Sequence, residues 1–196
     1  MVEQHAAELE EGRVRFIGGL NEDLAATAVW GSQMAPLEDG RLYDSVVGLW
    51  YGKGPGVDRS GDAFRHANTS GVHPKGGVLA VAGDDPECKS STIPSASEWA
   101  LADQAMPTLF PGTVQEVLDF GILGYELSRF CGSWVGFKLN TNVADGFATA
   151  NVSLDRFNFA PVDFRVDGEP WSASQTPAMI APYSVQQEEE LSLIHI

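Results

Sequence analysis

Short apolar runs of strand length alternate with helical patterns along the first two thirds of this chain, and this alternation constrains the fold more than any other feature. The apolar runs lie at residues 14–17, 45–51, 77–83, 108–110 and 134–139. Helical patterns separate them, at residues 22–30, 62–68, 97–106 and 113–131. Strands that are apolar on both faces and are separated by helices pair in parallel through right-handed crossovers. We therefore expect an α/β domain built on a parallel sheet.

Capping residues predict where two of the helices begin. Asn21 stands directly before Glu22 and Asp23, which is typical of a helix start with acidic residues in its first turn. Thr113 stands in the same way before the longest helical pattern, which we expect to end near Gly132.

The pattern loosens after about residue 142. Residues 148–154 alternate like an edge strand, and the remainder is rich in Pro, Ser and Asp. We expect one domain over residues 1–142 and a linker or the start of a further domain over residues 143–190. Residues 191–196 match a translated sequencing adaptor, and we interpret them as a non-native scar.

The charge balance excludes several classes of partner. The chain has 27 acidic and 12 basic residues, a net charge of −15, which disfavours binding to nucleic acid and to anionic membrane surfaces. No apolar stretch approaches the roughly 20 residues of a membrane span, and the start does not resemble a signal peptide. Cys88 and Cys131 form neither a metal-binding spacing nor a disulfide framework, so we expect a soluble protein of the cytoplasm.

Three polar loops follow the expected strands, where ligands of parallel sheets gather. The first is Gly18-Gly-Leu-Asn-Glu-Asp23, in which Glu22 is a candidate functional carboxylate or simply a charge that compensates the helix dipole. The second is Tyr51-Gly-Lys-Gly-Pro-Gly-Val-Asp-Arg-Ser-Gly61, whose cations could hold a carboxylate or phosphate, although it also suits an ordinary tight turn. It matches neither a P-loop nor a dinucleotide fingerprint.

The third loop is Gly83-Asp-Asp-Pro-Glu-Cys-Lys-Ser-Ser-Thr92. Asp84 and Asp85 could hold Mg²⁺ with hydroxyls nearby, or they could form an Asp-Pro turn capped by serines. The residue types alone leave both interpretations open.

Taken in order, these loops resemble one family, the long single-chain indolepyruvate ferredoxin oxidoreductases. The resemblance covers roughly residues 16–137, and the glycine–proline loop is its most specific part. The matching segments are residues 21–31, 50–62, 66–68, 76–80, 83–85, 89–92, 114–116 and 127–130.

The resemblance implies a pyrimidine-type thiamine-diphosphate-binding domain that is incomplete at its N-terminus. In that family a glutamate hydrogen-bonds the aminopyrimidine ring of the cofactor, and Glu22 matches it as the catalytic residue. Cofactor contacts are implied for Asn21, Ser90 and Ser91. Substrate contacts are implied for Lys53, Asp58 and Arg59, and we expect Lys53 or Arg59 to hold the carboxylate of a 2-oxoacid.

The implied activity is oxidative decarboxylation of 2-oxoacids to acyl-CoA, with coenzyme A as acyl acceptor and ferredoxin as electron acceptor. Mg²⁺ and 4Fe-4S clusters would be bound by parts of the full-length enzyme outside this chain, which we expect to be inactive alone and homodimeric when complete. No metal ligand is expected within the chain itself.

The chain departs from the family pattern in three places. Pro86 follows the aspartate pair where the family tends to have histidine, Ser95-Ala96 replaces a His-Gln pair, and the first β–α unit of the family is missing. Two alternatives therefore remain: a non-catalytic cofactor-binding or regulatory module that retains the same loops, and an Mg²⁺-dependent phosphotransfer domain that uses Asp84 and Asp85.

Overall fold

A four-stranded parallel sheet forms the centre of the protein. The computed structural model describes residues 2–37, 39–159 and 163–170, so the predicted scar at residues 191–196 lies outside it, as do residues 171–190. The strands are β1 (Gly48–Lys53), β2 (Val78–Asp84), β3 (Thr108–Leu109) and β4 (Val135–Asn140), in the spatial order β1-β2-β4-β3. All three pairings are parallel, which confirms the expected α/β class.

Helices connect the strands and cover both faces of the sheet. They are α1 (Ala6–Glu11), α2 (Glu22–Met34), α3 (Gly54–Arg59), α4 (Gly61–Ser70), α5 (Glu98–Asp103), α6 (Val114–Cys131) and α7 (Thr141–Ala144). A hairpin of β5 (Arg165–Val166) and β6 (Glu169–Pro170) follows. None of the helices in the described ranges has both the length and the apolar character that a membrane crossing requires.

Successive side chains of β2 point to opposite faces of the sheet, and helices pack on both faces. Val78, Ala80 and Ala82 point into the main core with α2 and α4, whereas Leu79 points to the other face, against Gly124 of α6. In that core the Trp50 ring meets Phe64 edge-on, with centroids 4.8 Å apart.

The predicted helix caps are confirmed. The Asn21 side chain accepts a hydrogen bond from the N–H of Leu24 at 3.0 Å, and Thr113 accepts one from Glu116 at 3.1 Å. Gly132 ends α6 with a φ of 68°, in the left-handed region that favours glycine.

The glycine–proline segment after β1 is a helix, and the expectation of a loop was wrong. Glycines destabilise a helix interior by up to about 1 kcal/mol each, so local preference disfavours this conformation. Pro55 fits the first turn, and Val57 is fully buried in the core. Burial of this helix therefore overrides the local preference.

The strand predicted at residues 14–17 is absent from the described structure. Arg13 turns the chain at the end of α1, and the N–H of Val14 donates to the carbonyl of Leu9 at 2.7 Å. Val14 and Ile17 are 56% and 66% exposed. A strand needs a neighbouring strand to satisfy its backbone hydrogen bonds, and no described strand pairs with this segment. Its apolar pattern therefore does not produce a strand.

The edge strand predicted at residues 148–154 is also wrong. This segment lies along α6, where the N–H of Asn151 donates to the Gln115 side chain at 2.7 Å. Arg156 then pairs with Asp119 of the same helix at 2.7 Å. Side-chain hydrogen bonds to a helix thus take the place of a sheet ladder.

Candidate functional site

The predicted loops converge at the carboxyl edge of the sheet. Parallel strands end at the same edge, and here β1 ends at Lys53, β2 at Asp84 and β4 at Asn140. The start of α2 joins them, because the indole N–H of buried Trp50 donates to the main-chain carbonyl of Glu22 at 2.9 Å. One hydrogen bond between a core side chain and the backbone thus fixes the position of Glu22 beside β1.

The Glu22 side chain lies directly on α3. A Cβ atom built on Gly56 would be 2.7 Å from Cγ of Glu22 and 3.4 Å from its Cδ, closer than real side chains pack. The glutamate therefore reaches its place only because residue 56 lacks a side chain. Its own side chain is 43% exposed, so the carboxylate is open to a ligand on the side away from α3.

Arg59, at the end of α3, is an ion-pair partner of both acidic residues at the start of α2. Its guanidinium lies 3.7 Å from Oε2 of Glu22 and 3.1 Å from Oδ1 of Asp23. This arrangement links the first and second loops. Arg59, expected at the substrate side, is thus adjacent to the candidate catalytic glutamate, with its charge directed at two carboxylates of the chain itself.

Lys53 links the second loop to the third. Its ammonium group donates to the carbonyl of Ser90, to the Ser90 hydroxyl at 3.3 Å and to the Ser91 hydroxyl at 3.2 Å. All three acceptors are neutral oxygens. Within the described residues Lys53 forms no ion pair with a carboxylate.

Asp85 organises the loop that contains these serines. Its carboxylate accepts from the N–H of Ser90 at 2.7 Å and from the N–H of Lys89 at 2.9 Å. The Ser90 N–H is the largest cause that lowers the pKa of Asp85 from 3.8 to about 2; burial opposes this shift. Further donors that add to it are Lys89 N–H and the hydroxyls of Ser91 and Thr141. Asp85 is thus an ionised anchor for the third loop.

Asp84 has different partners from Asp85. It is 2% exposed and accepts from the N–H of Ser97 at 2.8 Å and from the Ser97 hydroxyl at 2.5 Å. Lys138 of β4 lies 3.3 Å from the same carboxylate. Asp85 therefore holds the first half of the loop between β2 and α5, and Asp84 holds its end at Ser97, as in the capped-turn interpretation of this sequence.

Lys138 is a residue of this edge that the sequence analysis did not single out. It is 9% exposed and lies 2.6 Å from Oε2 of Glu98. Burial lowers the pKa of Lys138, but the hydrogen bond to Glu98 and the charges of Asp84 and Glu98 outweigh it and raise the pKa above its ordinary value. A lysine inside an otherwise apolar strand is the signal that could have revealed this buried ion pair.

The remaining predicted residues have clear positions. Asn21 uses its side-chain oxygen for the cap of α2. Asp58 lies exposed on α3, and no side-chain partner is found for it in the part of the chain that the structure describes. Ser95 packs on Gly54, where an added Cβ would be 2.3 Å from the Ser95 Cβ.

A surface cavity of about 380 Å³ lies elsewhere in the fold, and none of the predicted site residues lines it. That cavity lies between the end of α2 and the segment that precedes β1, at the opposite edge of the sheet.

No cluster of three or more His, Cys, Asp and Glu side chains that could hold a metal ion occurs within residues 2–37, 39–159 and 163–170.

Comparison with known proteins assigns no family. Neither the scan against protein-family models nor the search of curated proteins finds a match to this sequence.

Proposed function

We propose that this chain supplies the pyrimidine-type domain of a thiamine-diphosphate-dependent 2-oxoacid:ferredoxin oxidoreductase, with Glu22 as the carboxylate that contacts the aminopyrimidine ring. The observation that carries the proposal is the placement of Glu22. Its backbone is held by Trp50, its side chain lies on Gly56, and its carboxylate is partly exposed at the carboxyl edge. The three loops of the family resemblance meet at that edge.

The residues present fit such a role. A carboxyl group on the first turn of α2, with an open side, can share a proton with a ring nitrogen: it donates when protonated and accepts once the proton has moved to the ring. Arg59 would keep this carboxylate in place until the ring arrives. The cofactor, when bound, supplies the electron sink for decarboxylation of the 2-oxoacid. Asn21, Ser90 and Ser91 remain proposed cofactor contacts, and Lys53, Asp58 and Arg59 proposed substrate contacts.

The rest of the proposed enzyme would hold Mg²⁺ and the 4Fe-4S clusters, pass electrons to ferredoxin and transfer the acyl group to coenzyme A. We propose a cytoplasmic enzyme, active as a homodimer.

The test is Glu22→Gln in the complete oxidoreductase that contains this segment. Glutamine keeps the shape of the side chain but cannot take part in proton exchange, so kcat for CO₂ release and viologen reduction should fall by about 10²–10⁴-fold. The melting temperature should stay within the error of the measurement. Retained turnover in the variant contradicts the role of Glu22.

Glu126→Gln is the matched control. Glu126 is 42% exposed and paired with Arg129 on α6, so it resembles Glu22 in exposure and in partner but lies away from the carboxyl edge. This variant should retain wild-type kcat.

A wild-type protein that binds thiamine diphosphate but turns over no 2-oxoacid would favour the alternative of a non-catalytic or regulatory module.

The phosphotransfer alternative has less support. Asp84 and Asp85 accept hydrogen bonds from different groups of the chain, and Asp84 also pairs with Lys138. Both carboxylates therefore already have hydrogen-bond donors within the chain, and an Mg²⁺ ion would have to replace them.

A further inference from the structure

Two cations lie at the carboxyl edge near Glu22, and the sequence did not distinguish between them as the partner of a substrate carboxylate. Lys53 ends β1 and Arg59 ends α3, the helix that follows it. Their surroundings in the structure differ in charge. This difference decides which of them is able to receive an anion.

Arg59 is already neutralised. Glu22 and Asp23 lie within 3.7 Å and 3.1 Å of its guanidinium, so an arriving carboxylate would meet two like charges at that position. Displacing Glu22 from this pair would also move the glutamate that the proposed function requires. Arg59 is therefore a positioning residue for Glu22 and a poor anion site.

Lys53 has the opposite surroundings. Its ammonium contacts neutral oxygens of Ser90 and Ser91, and its charge remains uncompensated by an ion pair within the described ranges. Lysine binds carboxylates as a compact point charge, and flanking hydroxyls add donors or acceptors as required. The side chain is exposed, so a ligand can reach it.

The position of the ammonium is set from the protein interior. Asp85, which is 3% exposed, accepts the N–H of Ser90 and holds the backbone of this loop in place. The serine oxygens then accept from Lys53. The buried carboxylate thus orients the lysine through one intervening layer of hydrogen bonds.

We propose that Lys53 is the residue that binds the carboxylate of the 2-oxoacid, and that Asp85 positions it through Ser90 and Ser91. This inference rests on the proposed function, and it names the substrate anchor of that same site.

The experiment is steady-state kinetics of the holoenzyme with phenylpyruvate. Lys53→Met should raise KM for phenylpyruvate by about tenfold to a hundredfold, the range for a lost hydrogen bond to a charged group, and leave KM for coenzyme A unchanged. Arg59→Met should act mainly on kcat, because it disturbs Glu22. An unchanged KM for phenylpyruvate in Lys53→Met overturns the proposal, and an increase in Arg59→Met alone would assign the carboxylate to Arg59 instead.

Lys75→Met is the control for removal of a surface lysine. Lys75 is 67% exposed and pairs with Asp44 at the other edge of the sheet, before β2, so its loss should leave both KM values at wild type.

Asp85→Asn tests the positioning role. It should raise KM for phenylpyruvate in the wild-type background and have no further effect on KM in the Lys53→Met background, because a residue that acts through Lys53 has nothing left to position. An equal increase in both backgrounds overturns this part.

A second readout keeps the inference separate from the proposed activity. In the complete protein that contains this chain, labelled with ¹³Cε-lysine, phenylpyruvate should shift the Lys53 resonance, identified by its loss in Lys53→Met, whereas 2-phenylethanol should not. A wild-type holoenzyme without turnover contradicts the proposed function. The absence of this shift contradicts the Lys53 site.

Discussion

Gly56→Ala separates the folding of this protein from the placement of Glu22. The added Cβ would lie 2.7 Å from Cγ of Glu22, whereas a relaxed carbon–carbon contact needs about 3.5–4.0 Å. The glutamate must therefore move by about 1 Å. Its side chain is 43% exposed and is free to rotate outward, so α3 itself need not shift.

The expected effects of Gly56→Ala on stability and on catalysis differ in size. Moving a side chain off its preferred rotamer costs about 0.5–1.5 kcal/mol, while alanine in place of glycine within a helix gains up to about 1 kcal/mol. The free energy of unfolding should thus change by less than about 1 kcal/mol. Displacement of a catalytic group by 1 Å costs on the order of 10²-fold in rate.

The assay combines urea unfolding of the chain with kcat of the proposed oxidoreductase that contains it. Gly56→Ala should unfold near the wild-type midpoint and lose about 10²-fold in kcat. Gly31→Ala on α2 is the control, because nothing lies within 4 Å of its Cβ, and it should gain up to about 1 kcal/mol with wild-type kcat. Wild-type kcat in Gly56→Ala would refute the steric argument.

Two further predictions concern the ionised groups of the same edge. Lys138→Met removes the cation beside buried Asp84 and should lower the free energy of unfolding in urea by about 3–5 kcal/mol. Combining it with Asp84→Asn should recover part of that loss. If the losses of the two single variants simply add in the double variant, the two side chains do not interact and the prediction is wrong. Asp85 has a pKa of about 2 in the folded protein, below its ordinary 3.8, so its contribution to the free energy of unfolding is complete above pH 4 and is lost as the pH falls through about 2. Asp85→Asn should therefore be less stable than wild type at pH 7, and the difference in the free energy of unfolding should become smaller between pH 4 and pH 2. A difference that stays constant over this range contradicts the lowered pKa.

Local chemistry determined where the helices begin and end. Asn21 and Thr113 cap their helices as expected, and Gly132 ends α6 in the left-handed conformation. A helix cap depends on residues three or four positions away in the chain, so the sequence itself contains the interacting groups.

The apolar run at residues 14–17 and the alternation at residues 148–154 were not sufficient to specify strands. A strand requires a ladder partner elsewhere in the chain, and in both segments other contacts took its place. Conversely, burial of Val57 made a helix of a segment whose glycines favour a turn.

The sequence by itself identified the polar loops that meet at the carboxyl edge and the residue types within them. Only the tertiary structure decided that Arg59 faces Glu22 and Asp23, that Lys53 faces serine oxygens, and that the neighbouring aspartates have separate partners. The physical reason is that hydrogen bonds and ion pairs depend on distances of a few ångströms between residues far apart in the chain. Those distances are set by how α3, the third loop and β4 pack together.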